Sequence, residues 1–338
     1  MTLTIRPFTL DDYPSAIDLL NVVYPDYPDT VEELRFYDEH RDPKCRFDRW
    51  LAERDGTVVG IGQCGHAAGW YHPRKFWMDL SVHPDHQGRG VGSQLYQQLV
   101  DLILPLDPLL IRSGAREDKL HSVQFLLNRG FVEDVRSWES RLDVTGFDPT
   151  PFQDAERGLR AAGLEIMTLR ELERDPERNQ KLYELEWLLD QDVPQPEPPT
   201  RVSFEFFLEH TLQNPNLLPE AYLVAVDRTA YVGLSTLWSS RGNADLFTGL
   251  TGVRQEYRGR RIALALKLRS IAYARAHGHP VIRTWNESNN LRMLAINERL
   301  GFVKQPAWID LVKTFQPSDG QAPNRPVELM GGVRHGSV

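Results

Sequence analysis

Residues 82–92 read Val82-His83-Pro84-Asp85-His86-Gln87-Gly88-Arg89-Gly90-Val91-Gly92. The residues before them, 76–82, have the character of a strand, and those after them place Leu95, Leu99, Leu102 and Ile103 on one face of a helix. Gly88, Gly90 and Gly92 therefore fall at a strand-to-helix turn. Glycines permit close approach to the backbone, successive amide N–H groups then point into one concavity, and the helix dipole favours negative charge there. The segment reads as a phosphate cradle made of main chain.

The same order returns later in the chain. Arg258-Gly259-Arg260-Arg261-Ile262-Ala263 follows an expected strand at 246–253 and opens a helix rich in Ala and Leu. Val82 and Val253, Gln87 and Arg258, Gly92 and Ala263, and the pairs Gly130-Phe131 and Gly301-Phe302 are each 171 positions apart. One offset held over four landmarks marks a duplicated unit. Nearer the N-terminus the offset falls to 161, between Ile5 and Ile166, and the Pro-rich insertion 193–200 in the second copy accounts for the difference. The expected organisation is a first unit over 1–145, a linker over 146–163, a second unit over 164–316 and a loosely held tail over 317–338.

Within the first copy the expected elements are a strand at Ile5, a helix over 10–24, a helix over 30–40, a hairpin, and a strand over 76–82. After the glycine turn come a helix, a strand over 109–112, a helix over 118–128 and a strand over 132–142. Thr30 and Glu33 form a capping-box pattern, and Asp55-Gly56 joins the hairpin strands 50–53 and 58–63. The second copy repeats this order and closes with a strand over 309–314.

Length and charge narrow the function. A chain of 338 residues with 41% hydrophobic and 25% charged residues suits two globular units. Its net charge of −8 leaves no broad cationic field for nucleic acid or anionic lipid. No window approaches a membrane span and no basic-then-apolar leader is evident, so a cytoplasmic protein is expected, monomeric or homodimeric. Cys45 and Cys64 are too few for a disulfide framework and are expected as reduced thiols.

Two further motifs fit less well. Gly60-Ile61-Gly62-Gln63-Cys64-Gly65 has a dinucleotide-binding spelling, but residues 65–73 cannot start the helix which that motif requires, so a Gly-softened strand is expected instead. His83, Asp85 and His86 lack a distant ligand cluster, and no metal is expected.

Gln87-x-x-Gly90-x-Gly92 after a strand resembles the (Arg/Gln)-x-x-Gly-x-(Gly/Ala) acyl-CoA signature of the GNAT superfamily of N-acetyltransferases. The order of elements resembles that family's as well, and residues 290–302, NLRMLAINERLGF, are similar to its second conserved region. Both halves carry the resemblance. It implies an α/β fold, an α+β mixed sheet in each of two tandem GNAT-like units, splayed between the fourth and fifth strands with acetyl-CoA in the cleft. The diphosphate would rest on Gln87, Gly88, Arg89, Gly90, Val91, Gly92 and Ser93, and the pantetheine along Leu80, Ser81 and Val82. The corresponding positions of the second copy are Val253, Arg258, Gly259, Arg260, Arg261, Ile262 and Ala263, with Asn290 capping the later helix.

Family members transfer acetyl directly to an amine, with a Tyr four residues before the Gly-Phe pair as proton donor. This chain has Leu126 and Asn297 there. Lys119 stands where the second copy keeps Asn290, and Arg261 stands where the first has Gly90. The first copy is thus favoured for acetyl-CoA. Asp79 is the candidate base, and Tyr24, Tyr27, Trp70, Tyr71 and Trp77 are candidate walls of an acceptor pocket. The expected activity is acetyl-CoA-dependent N-acetylation of a small-molecule or peptide amine. The competing reading is a non-catalytic CoA-binding or regulatory module with degenerate sites.

Overall fold

A computed structural model describes residues 2–315; the expected tail over 317–338 lies outside the described residues. In chain order the first half comprises β1 (Leu3–Pro7), α1 (Tyr13–Val23), α2 (Val31–Glu39), β2 (Phe47–Arg54), β3 (Thr57–Gly65), β4 (Lys75–Val82), α3 (Val91–Ile103), β5 (Leu110–Arg116), α4 (Leu120–Leu127) and β6 (Val132–Asp143). A short helix α5 (Ala155–Ala161) follows. The second half comprises β7 (Leu164–Thr168), α6 (Arg178–Asp190), α7 (Phe204–Phe207), β8 (Leu217–Asp227), β9 (Ala230–Ser240), β10 (Asn243–Val253), α8 (Ile262–Ala276), β11 (Val281–Glu287), α9 (Leu291–Arg299), β12 (Val303–Lys304) and β13 (Trp308–Thr314).

Local chemistry sets several of these boundaries. Thr30 Oγ1 accepts from the Glu33 amide while the Glu33 carboxylate accepts from the Thr30 amide, so two otherwise unpaired donors at the start of α2 are satisfied reciprocally. Asp55 and Gly56, both at positive φ, turn β2 into β3. Gly60 and Gly62 let α3 lie close on β3: an added Cβ would stand 3.0 Å from Leu95 and 3.2 Å from Leu99 respectively. Leu95 and Leu99 are fully buried in that contact, each contributing about 1.5–3 kcal/mol. The glycine-rich spelling in β3 thus serves packing.

The strands form one sheet in the order β1-β2-β3-β4-β5-β13-β6-β11-β10-β9-β8-β7. The two units share this sheet by exchanging strands. The last strand of the second half, β13, lies between β5 and β6 of the first, pairing Gly114 with Asp310 on one side and Arg136 with Ile309 on the other. In return the later part of β6 pairs with β11 of the second half, from Ser137 with Glu287 to Asp143 with Val281. Ser137 and Trp308, partners in register, are themselves 171 positions apart, so the approximate twofold axis of the duplication passes between them.

Pro306 separates β12 from β13 in the second copy, whereas Val135 occupies the equivalent place and lets β6 run through unbroken.

Two other segments depart from expectation. The linker contains α5, whose Ala155 and Leu159 are buried in one cluster with Ala265 and Leu266 of α8. The Pro-rich insertion crosses to the first half, where the Thr200 amide donates to the Gly69 carbonyl at 2.7 Å.

Candidate active site

The ladder between β4 and β5 is parallel and brief: Lys75, Phe76 and Trp77 pair with Leu110, Ile111 and Arg112, after which the strands diverge. A cavity of about 250 Å³ opens in the resulting wedge. Leu80 and Val82 of β4, the turn residues Gln87, Gly88, Gly90, Gly92 and Ser93, and Ser113 and Gly114 of β5 line it, with His121, Ser122, Phe125 and Leu126 of α4.

The turn is held by its own side chain, since Gln87 Nε2 donates to the Val82 carbonyl at 3.0 Å. Gly88 at φ 70° and Gly90 at φ 82° take left-handed conformations that L side chains rarely adopt, and a Cβ at either would project into open space. The concavity is therefore a cradle kept clear by the absence of side chains, at the N-terminus of a 13-residue helix. Backbone polar groups on the β5 side of residues 78–82 have no ladder partner there. That exposed edge together with the bare turn fits the diphosphate and the amide-bearing arm of acetyl-CoA.

Three sequence-expected residues lie elsewhere. Val91 is buried in the core with Ala52 and Leu95, and Arg89 is exposed outside the cavity lining. Ser81 points to the opposite face of the sheet, where its hydroxyl donates to the Tyr24 phenol oxygen at 3.4 Å. Strand alternation accounts for the last case: Leu80 and Val82 face α3, so Asp79 and Ser81 face α1.

On that opposite face Asp79 is paired in register with Gln63. Burial raises the Asp79 carboxyl above its ordinary value, against hydrogen bonds from the Leu80 amide and Gln63 that pull it down. Burial, then the Asp79 charge, pushes the Tyr24 phenol up to about 12. Tyr24 and Tyr27 each meet the Trp308 ring, at 6.3 and 6.1 Å between centroids, and Tyr27 also meets Trp285. Trp77 lies on this face against Phe47, while Trp70 and Tyr71 lie in the β3–β4 connection where the insertion docks.

The second half keeps the turn's outline and fills its wedge. Arg258 Nε donates to the Val253 carbonyl at 3.1 Å, as Gln87 does in the first half, and its guanidinium also pairs with Asp192. Arg261 at φ 62° holds the left-handed place of Gly90. Gly259 and Arg260 are exposed, Val253 and Ile262 are core residues, and Ala263 replaces Gly92. Asn290 caps α9 through the Met293 amide. Leu264, the counterpart of Ser93, is 5% exposed and belongs to a cluster with Leu246, Ile282 and Leu300. Trp285 replaces Gly114 and stacks on Phe247 at 5.9 Å.

The sequence reading missed the α4 wall and the plug in the second wedge. Aligning the copies at offset 171 carries the second signal, Ser93 against Leu264. Of the missing phenol positions, Leu126 lines the first cavity and Asn297 is buried, donating to Asn286 Oδ1 at 2.7 Å. Burial pushes the Cys64 thiol up to about 12, which makes it a poor nucleophile. Among the described residues no group of His, Cys, Asp or Glu is arranged to hold a metal, and no helix is long and apolar enough to cross a membrane.

Comparison with known proteins follows the same geometry. A tandem GNAT protein from the clavulanic acid biosynthesis pathway superposes with a TM-score of 0.74 at 21% identity, covering 94% of this chain and all of its own. A GCN5-related N-acetyltransferase from Sphaerobacter thermophilus gives 0.70 at 19% identity, over 93% and 96% of the two chains. An acetyltransferase fold from Pyrococcus horikoshii gives 0.54 at 14%, over 93% and 90%. No relative among curated proteins matches the chain. The family profile described as "Acetyltransferase (GNAT) family" matches residues 11–131 and 169–302, most of both halves, and the chain therefore belongs to the GNAT acetyltransferase family as a tandem protein.

Proposed function

We propose that the protein is an acetyl-CoA-dependent N-acetyltransferase whose first half holds acetyl-CoA and whose second half is a filled, non-binding copy. The observation that carries this reading is the open wedge between β4 and β5, lined by the bare glycine turn. When bound there, acetyl-CoA supplies an activated acetyl thioester. The amides around Gly88, Gly90 and Gly92 hold its diphosphate, and the free edge of residues 78–82 aligns its arm.

Asp79, held above the usual carboxylate range by burial, accepts a proton from the incoming ammonium, leaving a neutral amine to attack. A β4 amide beside the wedge polarises the carbonyl. As the new C–N bond forms and the C–S bond breaks, the electron pair remains on sulfur and a proton must reach it. Leu126 cannot provide one. His121 is the titratable side chain on the cavity wall, and we assign it that role. The first unit's functional extent is best drawn as residues 1–145 with the exchanged β13.

Isothermal titration with acetyl-CoA tests the reading. Wild type binds one equivalent and Gly90→Asp, which places a carboxylate and a strained φ in the cradle, binds none; absence of binding by wild type overturns it. The missing phenol favours the second reading, a non-catalytic CoA-binding module. Thiol release over a panel of amines separates the two, because such a module binds without turnover.

A further inference from the structure

Resting on the first-half acetyl-CoA reading, we propose that the second half builds the acceptor site of the first and selects a compact diamine, one that carries a second positive charge, over neutral or acidic amines. The argument begins with Gly114. It is exposed although it lies in an interior strand, and a Cβ there would meet only the Ile309 carbonyl oxygen at 3.7 Å. It lines the cavity on one side of the sheet. Its register partner on β13 is Asp310, and Trp308 pairs with Arg116 two residues along. The divergence of β4 from β5 thus leaves a window at Gly114, with the acyl cavity on one side and residues from the exchanged strand on the other.

On that other side Asp79, Tyr24 and Trp308 form a contiguous wall. The adjoining charge is negative. Arg112, 6% exposed, is shared among Asp134 at 2.6 Å, Asp310 at 2.8 Å and Glu197 at 3.0 Å. Glu197 belongs to the Pro-rich insertion and also pairs with Lys75, so the second half straps itself across the mouth of the first. Glu287 of β11 faces Asp310 and Asp134.

Four carboxylates therefore meet two cations, and the adjacent Arg116 is taken by Asp118 at 2.7 Å. Burial raises the Asp310 carboxyl despite the charge and hydrogen bond of Arg112, with Asp134 and Glu197 adding to the rise, and burial with the Asp310 charge likewise raises Glu287, so the cluster of carboxylates at Arg112 keeps uncompensated negative charge. An arriving ammonium relieves that imbalance and an arriving carboxylate worsens it. The Pro-rich insertion and the strand exchange then share one consequence, since both deliver acidic side chains of the second half to the open wedge of the first.

Three probes of equal chain length isolate the charge: 1,5-diaminopentane, pentylamine and 5-aminopentanoate, each assayed by thiol release with saturating acetyl-CoA. The expected order of kcat/KM is diamine, then amine, then amino acid, with steps of about tenfold. Asp310→Asn, near-isosteric, brings diamine and monoamine within about threefold through KM, leaving acetyl-CoA affinity by titration unchanged; Glu197→Gln acts in the same direction. A wild-type diamine/monoamine ratio near one overturns the proposal without any variant, as does a ratio unmoved by Asp310→Asn in protein that still binds acetyl-CoA. Binding of acetyl-CoA with no turnover of any probe also overturns it while the cleft reading stands. Failure of wild type to bind acetyl-CoA at all refutes the cleft reading itself.

Discussion

Ser93 and Leu264 hold equivalent places in the first turns of α3 and α8, and Gly114 and Trp285 hold equivalent places on β5 and β11. Both wedges diverge early, since β10 and β11 share only Leu246 with Ile282 and Phe247 with Arg283 before parting. Yet the first stays open while in the second Leu264 packs against Leu246, Ile282 and Leu300, with the Trp285 indole stacked on Phe247 on the other face of the sheet. The backbone of a splayed pair is thus necessary for a cleft but does not suffice; a small residue at the Ser93 position keeps it clear. At the turn Arg261 holds a left-handed conformation that glycine ordinarily occupies, as Gly90 does in the first half.

The comparison can be broken most forcefully by transplanting the plug. Ser93→Leu, which brings the Leu264 side chain to the equivalent place in the open wedge, should weaken acetyl-CoA binding by about 1,000-fold in titration, on the order of 4 kcal/mol. The reciprocal change, Leu264→Ala, removes core packing in the second half; thermal or urea unfolding should report a loss of about 2–5 kcal/mol, with acetyl-CoA affinity unaltered.

Next in size is His121→Gln. If the α4 wall supplies the proton that Leu126 cannot, kcat for thiol release should fall roughly 10- to 100-fold while the affinity for acetyl-CoA holds. An unchanged kcat would return the role to solvent.

The smallest effect concerns Lys267, 3% exposed on α8, where the first half has Tyr96. Burial lowers its ammonium to about 8. Because the folded value lies below the unfolded one, the charged form is disfavoured in the fold. The penalty is present at neutral pH and is relieved as pH rises from about 8 toward ~10.4. Lys267→Met should raise stability on the order of 1 kcal/mol at pH 7 and remove the gain that wild type shows across that alkaline range, as measured by melting at several pH values.

Much of this was legible in the residues. Thr30 and Glu33 specify their helix start through bonds that span three positions, and Asp55-Gly56 specifies its hairpin in the same local way. The cradle at Gly88 and Gly90 follows from positive φ at a strand-to-helix turn. Strand exchange was hidden because alternation along residues 308–314 looks the same whichever sheet receives the strand. The acceptor face was hidden for a related reason. Glu197, Trp308 and Asp310 reach it from positions about 80 to 200 residues away from Arg112 and Arg116, distances over which periodicity carries no information.

The exchanged strand also governs the chain's life before it is finished. Gly114 meets Asp310 across 196 residues, so the first half emerges from synthesis with the edge of β5 bare and its window unframed. Pairings so distant in sequence form late and slowly. A molecule truncated between β6 and β13 would keep its glycine turn and lose the strand that frames it, leaving a sticky edge in place of a framed window. Duplication followed by exchange thus makes completeness of translation a precondition for closing the sheet.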